Sequence, residues 1–148
     1  MKNSLLAAAG LVFKKEKGKI LWLIVKKDES GEWVIPKTTG RKGESSVRAM
    51  VRYITDFGGV NAQVLEEVTR TGGTTSVNGR ITVTKTLYYL IVDKGGMEIK
   101  LPDYEWGDLA KVTKKLKIKK EVKIFKEAND LLKKIEKEKG KDYWVVVE

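Results

Sequence analysis

P-K-T-T-G-R-K-G-E-S-S-V-R-A-M-V-R-Y-I-T-D-F-G-G-V, residues 36–60, decides the reading of this chain. Ser45 or Ser46 is a good helix N-cap, because a serine hydroxyl accepts from the free N–H groups of the first turn. From there the spacing predicts a helix to about residue 57. Val47, Met50, Val51 and Ile54 form an i, i+3, i+4, i+7 stripe that should face a sheet. Gly58-Gly59 ends the helix, as glycine past a helix end usually does. In a regular α-helix Tyr53, Asp56 and Phe57 share one face. That face offers one carboxylate and two aromatic rings.

The frame of this stretch resembles the Nudix box, G-x5-E-x7-R-E-U-x-E-E-x-G-U, where U is aliphatic. With Glu44 on the first Glu, seven residues precede Arg52, Ile54 falls on the inner aliphatic position, and Gly59-Val60 falls on the closing pair. Three positions depart from the pattern. Thr38 stands for the opening Gly, Tyr53 for the Glu after Arg, and Asp56-Phe57 for the Glu-Glu pair, so the box is degenerate.

The likeness extends over residues 5–138. A-A-A-G-L-V-F-K (7–14) resembles the family's opening strand, and K-I-L-W-L-I-V-K-K (19–27) the strand paired with it after a Gly18 turn. G-E-W-V-I-P-K (31–37) is similar to the G-x-W-x-L-P-K-G that leads into the box. Residues 81–92 alternate Ile81, Val83, Leu87, Tyr89 and Ile91 on one face of a strand, after an Asn78-Gly79 hairpin signal. Tyr104-Glu105-Trp106, a short helix and a long helix over 119–138 resemble the C-terminal ending. The resemblance implies an α+β fold, an α/β/α sandwich: a mixed central sheet with the box helix and C-terminal helices packed on it. We expect a single domain over 1–139 and a short C-terminal strand or tail over 140–148, where Y-W-V-V-V is rich in β-branched residues.

In the Nudix family the box carboxylates hold Mg²⁺ or Mn²⁺, which polarises a pyrophosphate and activates a water. A hard cation of this kind takes oxygen ligands in near-octahedral array. Asp56 is the one carboxylate left on that face, with Glu44 nearby; Glu66, Glu67, Asp93, Glu98 and Glu105 are carboxylates that strands or loops could bring in. Glu66 and Glu67 would point to opposite faces of a strand. Losing a well-held metal should cost at least roughly a thousandfold in rate. The resemblance therefore implies a catalytically weak or inactive module that binds a nucleotide, a nucleoside diphosphate derivative or RNA phosphate, without a required cofactor. The alternative is a divergent pyrophosphohydrolase using Mg²⁺ or Mn²⁺ on Asp56 and Glu44. Glu44 and Arg52 repeat the family's structural pair. Lys37, Arg41 and Lys42 are candidate phosphate ligands in the loop before the helix. Tyr53 and Phe57 either stack on a base or pack inward, and inward packing is the favoured expectation.

Composition narrows the chemistry. The chain has 148 residues, 41% of them apolar, and neither Cys nor His, which excludes thiolate or histidine metal sites and Ser-His triads. Between residues 111 and 141 there are 13 Lys against 5 Asp and Glu, so most of the net charge of +10 lies there. Val122, Phe125, Ala128, Leu132 and Ile135 form the buried stripe of the long helix. Lys119, Lys120, Lys123, Lys126, Lys133 and Lys134 lie outside it and could meet RNA phosphates, while Glu121, Glu127, Asp130, Glu136 and Glu138 interrupt that field. Lys outnumbers Arg 25 to 5, which suits non-specific attraction better than base readout. No apolar run reaches the ~18 residues of a membrane span. We expect a cytoplasmic protein, monomeric or homodimeric.

Overall fold

Small residues at the centre of the first strand let the rest of the chain close around it. The computed structural model describes residues 3–27 and 31–140. In order these form β1 (Asn3–Glu16), β2 (Lys19–Lys26), β3 (Trp33–Val34), β4 (Lys37–Thr39), α1 (Ser46–Val51) continuing as a π-helical segment (Arg52–Phe57), β5 (Ala62–Val77), β6 (Arg80–Asp93), β7 (Tyr104–Gly107), α2 (Leu109–Lys115) and α3 (Lys119–Lys139). One mixed sheet runs β3-β2-β1-β6-β5, with β4 also on β1 and β7 also on β2. β1 and β6 are parallel; the other pairings are antiparallel.

Alternation along the strands gives the sheet two apolar faces. Ala9, Leu11 and Phe13 of β1 join Tyr88, Leu90 and Val92 of β6 in a core closed by α2 and α3. Ala8 and Val12 join Leu87, Tyr89 and Ile91 in a second core closed by Met50 and Ile54. This is the expected α/β/α sandwich. At Gly10 a Cβ would sit 3.0 Å from the Ile91 side chain and 3.3 Å from Met50, so glycine lets the box helix approach. Gly59 is more constrained: at φ +74° a Cβ there would lie 2.1 Å from the Glu98 carbonyl oxygen.

The box helix differs from expectation in two respects. Ser45 caps it, accepting from the Arg48 N–H, but its buried residues are Ser46, Ala49, Met50 and Ile54. Val47 is 39% exposed and Val51 half-buried, so the apolar stripe read from the sequence is rotated. The physical reason is close packing of small and polar groups: Ala49 faces Gly40, and Ser46 Oγ shares a hydrogen bond with the Tyr89 hydroxyl. The second difference is the π-helical turn from Arg52, where the Gly58 N–H reaches back five residues to the Tyr53 carbonyl.

Asn78 and Gly79 both have positive φ, as a tight hairpin turn of this kind needs. The hairpin is longer than its core. Ile81 is 77% exposed and Val83 is exposed as well, because the buried cluster reaches no further along β6 than Leu87. On α3 the buried residues are Glu121, Ile124, Phe125, Ala128, Leu132 and Ile135; Val122 is only half-buried. Phe125 meets Trp22 edge-on, with centroids 5.7 Å apart. The strand expected within 140–148 falls outside the described residues. Among those described, no helix is long and apolar enough to cross a membrane.

Candidate functional site

Glu44 and Arg52 form a bidentate pair. Oε2 accepts from Arg52 Nε at 2.8 Å, and Oε1 accepts from Arg52 Nη2 at 3.0 Å and from the Arg41 N–H at 2.8 Å. The Arg52 hydrogen bond first, and the Arg41 N–H second, hold the Glu44 carboxyl at about 2. Arg52 is raised in turn, chiefly by its hydrogen bond to Glu44. Both carboxylate oxygens are thus already engaged by cationic or backbone donors.

Two clefts flank the box helix. The larger, about 430 Å³, is lined by Arg41, Glu44, Val47, Arg48, Val51, Arg52 and Asp56. The smaller, about 190 Å³, is lined by Val25, Lys26 and Lys27 at the end of β2, Val34 and Ile35 around β3, Lys37, Tyr53 and Ile118. Tyr53 and Asp56 therefore serve different clefts, and Phe57 is 71% exposed and lines neither. The convergence expected of positions 53, 56 and 57 does not occur, because a π turn does not keep α-helical spacing. Nor does Phe57 pack inward. Tyr53 does pack against the core, and burial raises its phenol above the ordinary range.

The expected phosphate cluster is also divided. Lys37 lines the smaller cleft and Arg41 the larger, while Lys42 is exposed and lines neither. Lys37 Nζ donates to Glu121 Oε2 at 2.7 Å, and Glu121 Oε1 accepts from the Ile35 N–H at 3.1 Å. Glu121 is 2% exposed, so it does not interrupt the outer charge field of α3 as expected. Its side chain ties the first turn of α3 to the loop between β3 and β4.

The other carboxylates are occupied or distant. Glu67 pairs with Arg70, Glu105 with Lys115, and Asp93 accepts from the Gly95 N–H. Register shifts beside Glu66 and Glu67 break simple alternation there, and neither residue lines either cleft. Asp56 is left as one carboxylate beside three guanidinium groups. Among the described residues, no cluster of three or more Asp, Glu, His or Cys side chains forms. A divalent cation needs several oxygen ligands and is repelled by guanidinium, so this donor set does not fit Mg²⁺ or Mn²⁺.

The smaller cleft suits an anion. Lys26, Lys27 and Lys37 stand around apolar walls, and among the described residues no carboxylate lines it. Lys26 and Lys115 both lie over the Trp33 ring, at 5.5 and 5.3 Å from its centre, which keeps cationic groups together beside β3. Sequence reasoning overlooked Lys26, Lys27, Arg48 and the role of Glu121. The signal for Glu121 was present: with Ile124, Phe125 and Ala128 it sits at helical spacing on the buried stripe. A carboxylate there requires a partner.

No protein-family model and no curated protein sequence matches this chain. Solved structures do. The Ap4A hydrolase of C. elegans is 18% identical, with a TM-score of 0.69 over 89% of this chain and 99% of that one. The NUDIX domain of Shewanella oneidensis NrtR, crystallised with ADP ribose, is 17% identical, with a TM-score of 0.63 over 89% of this chain and 90% of its own. The MutT protein from Methanosarcina mazei Go1 is 18% identical, at a TM-score of 0.60 over 88% and 96%. Likeness at this level shows the fold.

Proposed function

We propose that this protein of the Nudix fold binds a nucleotide or nucleoside diphosphate derivative in the lysine-lined cleft over Tyr53, and hydrolyses it weakly or not at all. The observation that carries this reading is the composition of the cleft: three lysines and a tyrosine, with no carboxylate among the described residues that wall it. An ammonium group has three donors. Lys37 gives one to Glu121, which fixes its position and leaves two for phosphate oxygens. Tyr53 offers a ring on which a base or ribose can rest. Arg41 and Arg48 in the neighbouring cleft supply further positive charge along the helix.

The fold neighbours favour the same ligand class. One is an Ap4A hydrolase and another was crystallised with ADP ribose, and both compounds carry adenosine on a phosphate chain. Against ordinary hydrolysis stands the donor set around Asp56, with Glu44 held by Arg52. Within this reading, the outer lysines of α3 serve RNA phosphates, and no divalent ion is required.

Calorimetric titration with ADP, ADP-ribose and Ap4A, with and without Mg²⁺, tests the proposal. Binding is expected in both conditions, and Lys37→Gln should weaken it about tenfold, the loss of one charge-assisted hydrogen bond. Mg²⁺- or Mn²⁺-dependent turnover at ordinary enzymic rates, abolished by Asp56→Ala, would establish the hydrolase alternative instead.

A further inference from the structure

Two of the acidic residues on α3 are withdrawn from its outer surface. Glu121 is buried against Ile35 and Lys37, and Glu136 pairs with Lys15 of β1 at 3.0 Å. At about 100° per residue, Lys119, Lys123, Lys126, Lys133 and Lys137 fall within roughly 80° of arc on the side opposite the buried stripe. All five are exposed. Asp130 lies in the same arc, and Glu127 and Glu138 lie beyond one edge of it. The row extends about 27 Å along the axis. It begins at Lys119, the residue after Ile118, which is itself a wall of the lysine-lined cleft.

We infer that a single-stranded polynucleotide binds end-on, its terminal nucleotide in the cleft and its following phosphates along this row. The inference rests on the cleft being a nucleotide site. A cleft of about 190 Å³ has room on the scale of the single base of a terminal nucleotide, resting on Tyr53, and too little for the paired end of a duplex. The row contains lysine and no arginine, so the strand is held through its backbone without base readout. Glu121 joins the two halves of the site, because the carboxylate that fixes Lys37 in the cleft stands in the first turn of the helix bearing the row.

Fluorescence anisotropy with labelled linear oligouridylates of increasing length, alongside calorimetry with ADP, tests this. Affinity should rise with length until the strand spans the row, and should exceed that of a circular oligomer of the same length by about tenfold or more, as the latter has no end. For each lysine engaged, log affinity should fall with log salt by about 0.7. The triple variant Lys123→Gln, Lys126→Gln, Lys133→Gln should flatten that slope by about 2 and leave ADP affinity unchanged; circular dichroism checks its fold. Normal ADP binding with no length dependence, or equal affinity for linear and circular oligomers, overturns the inference and leaves the nucleotide proposal standing. Failure of ADP to bind overturns both.

Discussion

Lys37 and Glu121, 84 residues apart in sequence, meet at 2.7 Å, with the carboxylate buried and the ammonium partly open to the cleft. This asymmetry orders the effects of mutation. Lys37→Met leaves a buried charge without its counterion and should cost about 3 kcal/mol. Glu121→Gln keeps an acceptor for the Ile35 N–H and should cost only about 1 kcal/mol. Urea unfolding of both variants checks the order, and a larger loss for Glu121→Gln would contradict it.

The Glu44–Arg52 pair should give a pH signature. Glu44 has a folded value of about 2 against an ordinary 4.5. A carboxyl depressed on folding stabilises above its unfolded value, and that contribution is lost as pH falls through the folded one. Thermal melts of Glu44→Gln and the unmodified protein should therefore differ at neutral pH and converge between about pH 4.5 and 2. A difference that persists unchanged at the acid end would show that Glu44 acts otherwise.

Gly59 and Gly79 both have positive φ, near +75°, but only Gly59 is enclosed. Gly79→Ala meets no neighbour and should cost about 1 kcal/mol, the ordinary penalty for left-handed backbone. Gly59→Ala drives a methyl into the Glu98 carbonyl and should cost at least about 3 kcal/mol, or prevent folding. Denaturation midpoints measured on the pair distinguish conformational strain from collision.

Chelation should be without consequence for ligand binding. Among the described residues that line the larger cleft, Asp56 is the only carboxylate not tied by a hydrogen bond, and Tyr53 lines the other cleft. Titrations of ADP-ribose in EDTA and in Mg²⁺ should agree within about twofold, well under 1 kcal/mol. A large Mg²⁺-dependent gain would mean that oxygen ligands assemble around Asp56 when the nucleotide arrives.

The two hairpins, at Gly18 and at Asn78-Gly79, and both helical layers were legible from alternation, turn signals and the box frame, because those patterns answer to burial on two sheet faces. The parallel pairing of β1 with β6 was not, since no local signal sets a contact so distant in sequence. The site was legible only in its parts. Glu44, Arg52, Lys37 and Tyr53 could be singled out by position, but their grouping depends on a π turn that no residue between Arg52 and Phe57 announces. Val47 and Val51 misled the stripe because tight packing at Gly10 and Gly40 selects the small face of the helix over the more apolar one. Glu121 is the opposite case, a polar residue drawn into the interior by a partner distant in sequence.

The wide turn beginning at Arg52 also decides where any carboxylate introduced at position 53 would go. A glutamate placed at position 53 would inherit the direction of Tyr53, arriving among Lys26, Lys27 and Lys37 and not beside Asp56. Ammonium groups would capture it before any metal could. Only a regular α-helical turn over residues 52–57 would carry such a carboxylate round to the side of Asp56.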